Sequence, residues 1–77
     1  MDKQRTLGEL VRKKRIEKSW TQEKLSTELG VNYRYLQKIE ADHQIPSLTT
    51  IFKLASVLGM TPDKLIMPIW KEWQKEN

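Results

Sequence analysis

The sequence contains no cysteine and only three glycines and three prolines among its 77 residues. Without cysteine the chain can form neither disulfides nor thiolate metal sites, so its fold must depend on a buried apolar core. No apolar run approaches the length of a membrane span, and residues 1–5 lack the apolar segment of a signal peptide. We therefore expect one small cytoplasmic domain, with no membrane contact, metal, cofactor or small-molecule substrate.

The charge of the chain is distributed unevenly. The net charge is +4, but residues 1–38 hold ten Lys and Arg against five Asp and Glu, whereas residues 39–77 hold four against five. A basic half beside a near-neutral half favours a polyanionic partner such as nucleic acid. A solvated helix surface gives the same pattern, so the charge supports this interpretation without establishing it.

Helix start and stop signals predict an all-α chain of five helices, because no segment alternates apolar and polar residues as a strand would. The predicted N-caps are Thr6, Thr21, Asn32, Ser47 and Thr61. Gly30 and Gly59 are expected to end the second and fourth helices in the left-handed conformation. Pro62 suits the first position of the fifth helix, and Pro68 is expected to break the chain before a last short amphipathic segment, residues 69–75.

Apolar spacing predicts which side of each helix is buried. In the third helix Leu36 and Ile39 are expected to face the core, and the other side carries Tyr33, Arg34, Gln37 and Lys38. The residues of the fourth helix expected to point inward are Leu48, Ile51, Phe52, Ala55 and Leu58.

The second and third helices, joined by a tight turn through Gly30 and Val31, form a helix-turn-helix. That geometry alone also occurs in helical domains that do not touch DNA. The residues add a specific resemblance to the Cro/C1-type (XRE) family. It is carried by the segments TQEKL at 21–25, GVN at 30–32, YLQKIE at 35–40 and PS at 46–47. The likeness extends from Leu7 to Leu65, roughly four-fifths of the chain.

The resemblance implies an all-α, five-helix, lambda-repressor-like domain over residues 1–67, with the helix-turn-helix at about 21–40 and a short helical extension at 68–77. It also implies a transcriptional regulator that binds double-stranded DNA at specific sequences. Such a protein binds a pseudo-palindromic operator as a homodimer, with its third helix in the major groove. Phage or plasmid repressors and restriction–modification controller proteins both fit the resemblance. The expected location is the cytoplasm of a bacterial or phage system, in association with the nucleoid.

The resemblance also assigns site residues. Tyr33, Arg34 and Lys38 are the expected base-reading residues, with Gln37 at the flank. The expected phosphate contacts are Gln22, Asn32, Tyr35, His43, Gln44, Arg12 and Lys13. Arg15 and Glu40 resemble an internal ion pair that joins the first and third helices of some family members. After Glu40, Ala41 and Asp42 replace the usual Asn-Gly.

The C-terminal segment carries an apolar stripe of Ile66, Ile69, Trp70 and Trp73 at helical spacing. The stripe either folds back over the core of its own chain or forms the seam of a homodimer. So many aromatic rings are more than one small core needs, and large rings are enriched at interfaces.

Two other classes of function remain to be weighed against a DNA-binding regulator. The chain could be a protein-binding module, such as an antitoxin whose main partner is a toxin docked on Trp70 and Trp73. An enzyme is disfavoured, because the sequence has one histidine, His43, no cysteine, no phosphate-cradling glycine loop and no paired acidic cluster.

Overall fold

The computed structural model describes residues 5–76, so residues 1–4 and 77 of the predicted domain and extension lie outside the described part. Its five helices are α1 (Leu7–Glu17), α2 (Gln22–Leu29), α3 (Tyr33–Glu40), α4 (Leu48–Leu58) and α5 (Pro62–Glu76). No strand occurs among the described residues. The predicted all-α, five-helix fold class is therefore confirmed.

The predicted N-caps of the first four helices and the glycine caps that end the second and fourth helices are confirmed. The side chains of Thr6, Thr21, Asn32 and Ser47 each accept a hydrogen bond from a backbone N–H of the helix that they precede. Gly30 and Gly59 cap α2 and α4 with φ of 69°. These local bonds satisfy backbone groups that each helix end would otherwise leave unpaired.

Every helix contributes to one apolar core. α1 packs on α3, α4 and α5, α2 packs on α3 and α4, and α4 packs on α5. The core residues are Leu7, Val11, Leu25, Leu29, Leu36, Ile39, Ile51, Leu54, Ala55, Leu58 and Leu65. In α3, Leu36, Ile39 and Glu40 are buried and Tyr35 is half-buried. The other four residues of the helix face outward.

The predicted inward face of α4 is partly wrong. Leu48 and Phe52 are exposed, and Thr50 and Leu54 are buried instead. The apolar stripe of α4 is wider than the surface that its neighbours cover, so its edge remains in solvent. Thr50 can be buried because the hydroxyl of Ser47 donates a 3.0 Å hydrogen bond to its hydroxyl.

The predicted break at Pro68 is also wrong, because α5 runs without interruption from Pro62 to Glu76. Proline removes one backbone donor and crowds the carbonyl of Lys64 one turn earlier. Lys64 is exposed, so water can satisfy its carbonyl. Leu65 is fully buried and Ile69 packs against the core, so tertiary contacts hold the helix on both sides of Pro68.

Gly8 marks the closest approach of two helices. A Cβ added there would lie 2.7 Å from the carbonyl oxygen of Ile39 and closer still to that of Glu40. The N-terminal turn of α1 therefore lies against the C-terminal turn of α3 with no room for a side chain. This junction fixes the position of α3 in the fold.

We expect Gly8→Ala to lower the free energy of unfolding by about 1–3 kcal/mol, the usual cost of overpacking. Helix propensity alone would instead raise it by roughly 0.5–1 kcal/mol. The sign of the change in urea unfolding, followed by circular dichroism, therefore decides between the two effects. A more stable variant would mean that the junction can open to admit a methyl group at no cost.

Candidate nucleic-acid interface

The outward face of α3 carries the four residues predicted to read bases. Tyr33, Arg34, Gln37 and Lys38 are all exposed, while Leu36 and Ile39 on the opposite face are fully buried. Arg34 and Lys38 are one helical turn apart, so their cationic groups lie on the same side of α3. The helix thus presents two cations, an amide and a phenol on a surface that the core leaves open.

The first residues of α2 and α3 meet at one place. The Gln22 amide nitrogen donates a 3.0 Å hydrogen bond to Oε1 of Glu40. The Tyr33 hydroxyl donates a 3.4 Å bond to Oε1 of Gln22. Asn32 caps α3 through a 2.7 Å bond from the backbone N–H of Arg34. Helix N-termini carry partial positive charge and free N–H groups, so this region suits an anion such as phosphate.

Arg15 and Glu40 form a buried, bidentate ion pair between α1 and α3. Arg15 Nε lies 2.7 Å from Oε2 of Glu40, and Nη2 donates a 3.0 Å bond to Oε1. The side chains are 11% and 3% exposed. Nη1 of Arg15 also donates to the carbonyl oxygen of Trp20 at 2.7 Å. Together with Gln22, these partners leave no buried side-chain polar atom unpaired in the described part of the chain.

Tyr35 has an internal role that the sequence did not predict. The residue is half-buried, and its hydroxyl accepts a 3.0 Å hydrogen bond from the backbone N–H of Ser47 and donates to Thr50 at 3.4 Å. Burial by itself raises the pKa of Tyr35, but its hydrogen bonds with Thr50 and Ser47 bring the pKa below its ordinary value of 10.0. Since the hydroxyl ties α3 to the start of α4, we leave Tyr35 out of the phosphate contacts proposed below.

The other predicted phosphate contacts lie apart from this cluster. His43 and Gln44 are exposed in the loop after α3, and Arg12 and Lys13 are exposed on α1. Lys13 lies 3.5 Å from Glu17 in a surface pair. Hydrogen bonds therefore join Gln22 and Asn32 to the first residues of α3, whereas the remaining four lie on α1 and in the loop after α3.

The predicted C-terminal stripe is divided between core and solvent. Ile69 packs against the core, whereas Ile66, Trp70 and Trp73 are exposed, the two tryptophans by 47% and 57%. The Trp70 and Trp73 rings are stacked, with centroids 5.8 Å apart and planes 13° apart. The stripe is thus anchored by Ile69 and leaves a stacked, exposed pair of tryptophan rings along one edge of α5.

The sequence analysis noted Asp42 as a departure from the family pattern but missed the role of its side chain. This residue has φ of 62°, and its carboxylate accepts hydrogen bonds from the Thr6 hydroxyl and the Gly8 backbone N–H at the start of α1. The available signal was its place just after α3, where glycine is usual because the backbone turns left-handed. That signal gives the backbone conformation but not the partner of the side chain.

Other kinds of site are not evident in the described residues. No helix there is long and apolar enough to cross a membrane. Within the same residues, no group of three or more His, Asp or Glu side chains is placed to hold a metal ion.

Comparisons with known proteins agree with this geometry. A model of the helix-turn-helix family matches residues 11–65. The HTH-type transcriptional regulator y4dJ of Sinorhizobium fredii is 31% identical over 68 residues, which cover 88% of each chain. Since the family match covers more than half of the sequence, the chain belongs to the Cro/C1-type helix-turn-helix family.

Two solved structures show the same fold. The restriction-modification controller protein C.AhdI of Aeromonas hydrophila is 32% identical, with a TM-score of 0.71 over 77% of this chain and 89% of its own. The biofilm regulator SinR of Bacillus subtilis, solved in complex with DNA, is 29% identical, with a TM-score of 0.74 over 79% of this chain and 98% of its own. The protein is thus a DNA-binding transcriptional regulator rather than an enzyme.

Proposed function

We propose that this protein regulates transcription by binding a pseudo-palindromic operator as a homodimer, with α3 in the major groove of each half-site. The observation that carries the proposal is the convergence of Gln22 and Tyr33, 3.4 Å apart, beside the exposed Arg34. A phosphate-binding helix start next to an exposed polar helix face is the arrangement in which a helix-turn-helix reads DNA.

The exposed side of α3 supplies the base contacts in this proposal. Arg34 fits the bidentate hydrogen bonds that guanine offers through O6 and N7, a contact worth about 1–3 kcal/mol of discrimination. Tyr33 offers a ring edge to a thymine methyl group, and Lys38 offers a second cation one turn further along. Gln37 lies at the flank of this face.

The phosphate contacts proposed here surround that face. Gln22 and Asn32 lie at the starts of α2 and α3, and each amide nitrogen can donate to a phosphate oxygen. The flanking contacts are His43, Gln44, Arg12 and Lys13. Such contacts set the register and affinity of binding but carry no sequence information.

We propose that the homodimer forms through the exposed edge of α5 that carries Ile66, Trp70 and Trp73. Ile69 anchors this edge to the core of its own chain. Large exposed aromatic rings beside apolar neighbours are typical of protein interfaces rather than of solvated surface. A two-fold dimer would present two α3 helices to half-sites about 34 Å apart, one turn of DNA.

Within the family, we place the chain with repressors and restriction–modification controllers. The likeness to C.AhdI, a restriction-modification controller protein, and to SinR in complex with DNA supports this placement.

Selection of bound sites from random duplex DNA tests the proposal. We expect the wild type to enrich a pseudo-palindrome, and Arg34→Ala to relax the preference at one base position per half-site by about 1–3 kcal/mol. Gln22→Ala should weaken all sites about equally, because a phosphate contact carries no sequence information.

Lys53→Ala is the charge-matched control for Arg34→Ala, because Lys53 is exposed on α4 beside Glu28 and Leu29, at the opposite end of α2 from Gln22. It should leave the selected sequence unchanged. A wild type that enriches no sequence, and whose binding follows only the salt concentration, would contradict the proposal.

A further inference from the structure

α3 ends with a non-glycine residue, Asp42, in the left-handed conformation. The backbone N–H of Asp42 donates to the Ile39 carbonyl at 3.1 Å, and that of His43 donates to the Lys38 carbonyl at 2.9 Å. These two bonds form a Schellman motif, in which the residue after the cap takes the left-handed conformation that glycine adopts most easily. Asp42 takes it with φ of 62°. A non-glycine residue held in an unfavourable conformation points to a role for its side chain.

The Asp42 side chain joins the end of α3 to the start of α1. Its Oδ2 accepts a 2.6 Å hydrogen bond from the Thr6 hydroxyl, and its Oδ1 accepts a 2.8 Å bond from the Gly8 backbone N–H. Gly8 lies in the first turn of α1, whose N–H groups have no partner within the helix. A carboxylate is favoured there by the helix dipole and makes charge-assisted hydrogen bonds.

The contact is one of two polar attachments in the described residues that join the C-terminal end of α3 to α1, beside their apolar packing. At the N-terminal end of α1, Asp42 binds Thr6 and Gly8. Two turns further along α1, Arg15 binds Glu40. Because the two attachments lie about two turns apart along α1, together they resist rotation of the C-terminal end of α3 relative to α1 as well as separation.

We propose that Asp42 is a positioning residue for DNA recognition. Its carboxylate fixes the C-terminal end of α3 and the following loop, with His43 and Gln44, on the start of α1. It thereby sets the angle at which Arg34 and Lys38 reach the bases. This inference rests on the proposed function, in which α3 lies in the major groove.

The effect of charge alone has the opposite sign. Removing a carboxylate near a DNA-binding surface reduces repulsion of phosphates, so it should strengthen binding to any duplex. A loss of operator affinity on removing Asp42 therefore cannot come from charge, and it must come from geometry.

Asp42→Gly and Asp42→Asn form a matched pair for the test. Both remove the same negative charge, and both residues tolerate a positive φ. Asn keeps an oxygen that can accept from Gly8 and an NH2 group that can donate to the Thr6 hydroxyl, whereas Gly keeps neither. The variants are compared by binding to the selected operator and to an unrelated duplex, at a temperature where circular dichroism shows all three proteins fully folded.

We expect Asp42→Gly to bind the operator about tenfold more weakly, the loss typical of one misplaced base contact, while its binding to unrelated DNA is unchanged or slightly stronger. Asp42→Asn should keep the ratio of operator to unrelated binding within about twofold of the wild type. A purely stabilising role would not change this ratio in proteins that are fully folded.

Three outcomes would overturn the inference. If Asp42→Gly keeps the wild-type ratio, Asp42 does not position α3, and the proposed function stands. If Asp42→Asn loses as much as Asp42→Gly, the hydrogen bonds are not the cause. If the wild type itself prefers no sequence, the proposed function fails and the inference fails with it. Should Asp42→Gly not fold, Thr6→Asp, with Thr6→Ser as its control, tests one of the two bonds in the same assay, because aspartate can still cap α1 but has no hydroxyl to donate to Asp42.

Discussion

Replacing Arg15 with Met is expected to lower the free energy of unfolding by about 3–5 kcal/mol, because it leaves the buried carboxylate of Glu40 without its counter-charge. The Glu40 side chain is only 3% exposed, so water cannot replace the two hydrogen bonds that Arg15 provides. A domain of this size has roughly 5–15 kcal/mol of stability, so the variant should lose a large part of it. Urea unfolding followed by circular dichroism measures the change.

Lys13→Met is the matched control, since it removes the same charge from the same helix. Lys13 pairs with Glu17 at 3.5 Å, but the two side chains are 46% and 50% exposed. An exposed pair contributes about 0–1 kcal/mol, so this variant should be nearly as stable as the wild type. Adding Glu40→Leu to Arg15→Met should recover part of the loss, because the unpaired charge is then removed. Equal effects of Arg15→Met and Lys13→Met would show that the buried pair adds nothing to stability.

Trp73→Ala is expected to convert the proposed homodimer into a monomer and to weaken operator binding by about 10²–10⁴-fold, because the second half-site is no longer bound within one assembly. Trp73 is more than half exposed, so the fold of each chain should survive the substitution. Light scattering measures the mass, and binding to an operator with one or two half-sites measures the loss. The monomer should bind both operators with similar affinity.

Phe52→Ala is the control for this prediction. Phe52 is a large exposed aromatic residue, 51% exposed, but it lies on α4 outside the stripe of α5. The variant should remain a dimer and bind the full operator as the wild type does. A dimeric Trp73→Ala would contradict the proposed seam on α5, without affecting the assignment of α3 to base recognition.

Much of the proposed site could be predicted from the sequence because it depends on local signals. The caps at Thr21 and Asn32 and the turn at Gly30 place α2 and α3 within a residue of their observed bounds. The helical period then separates the buried Leu36 from the exposed Arg34. Arg15 and Glu40 lie 25 residues apart, and their pairing was expected from the resemblance to known repressors rather than from spacing.

The features that could not be predicted depend on distant neighbours. The phenol of Tyr35 reaches Ser47 only because α4 begins beside α3. The amide of Gln22 is bound by Glu40, 18 residues away in the sequence. No helical period or capping rule describes such partners, because they are chosen by how the helices cross.

The sequence by itself determined where the first four helices begin and end, which residues of α3 face outward, and the family to which the chain belongs. The helix bounds and the outward face of α3 follow from neighbouring residues, through capping groups and the 3.6-residue period, and the family follows from short motif segments. The tertiary structure decided which edge of α4 stays in solvent, that α5 continues through Pro68, and that Asp42 binds Thr6 and Gly8. The physical reason is that these outcomes depend on contacts between residues far apart in the chain, up to 36 positions for Asp42 and Thr6.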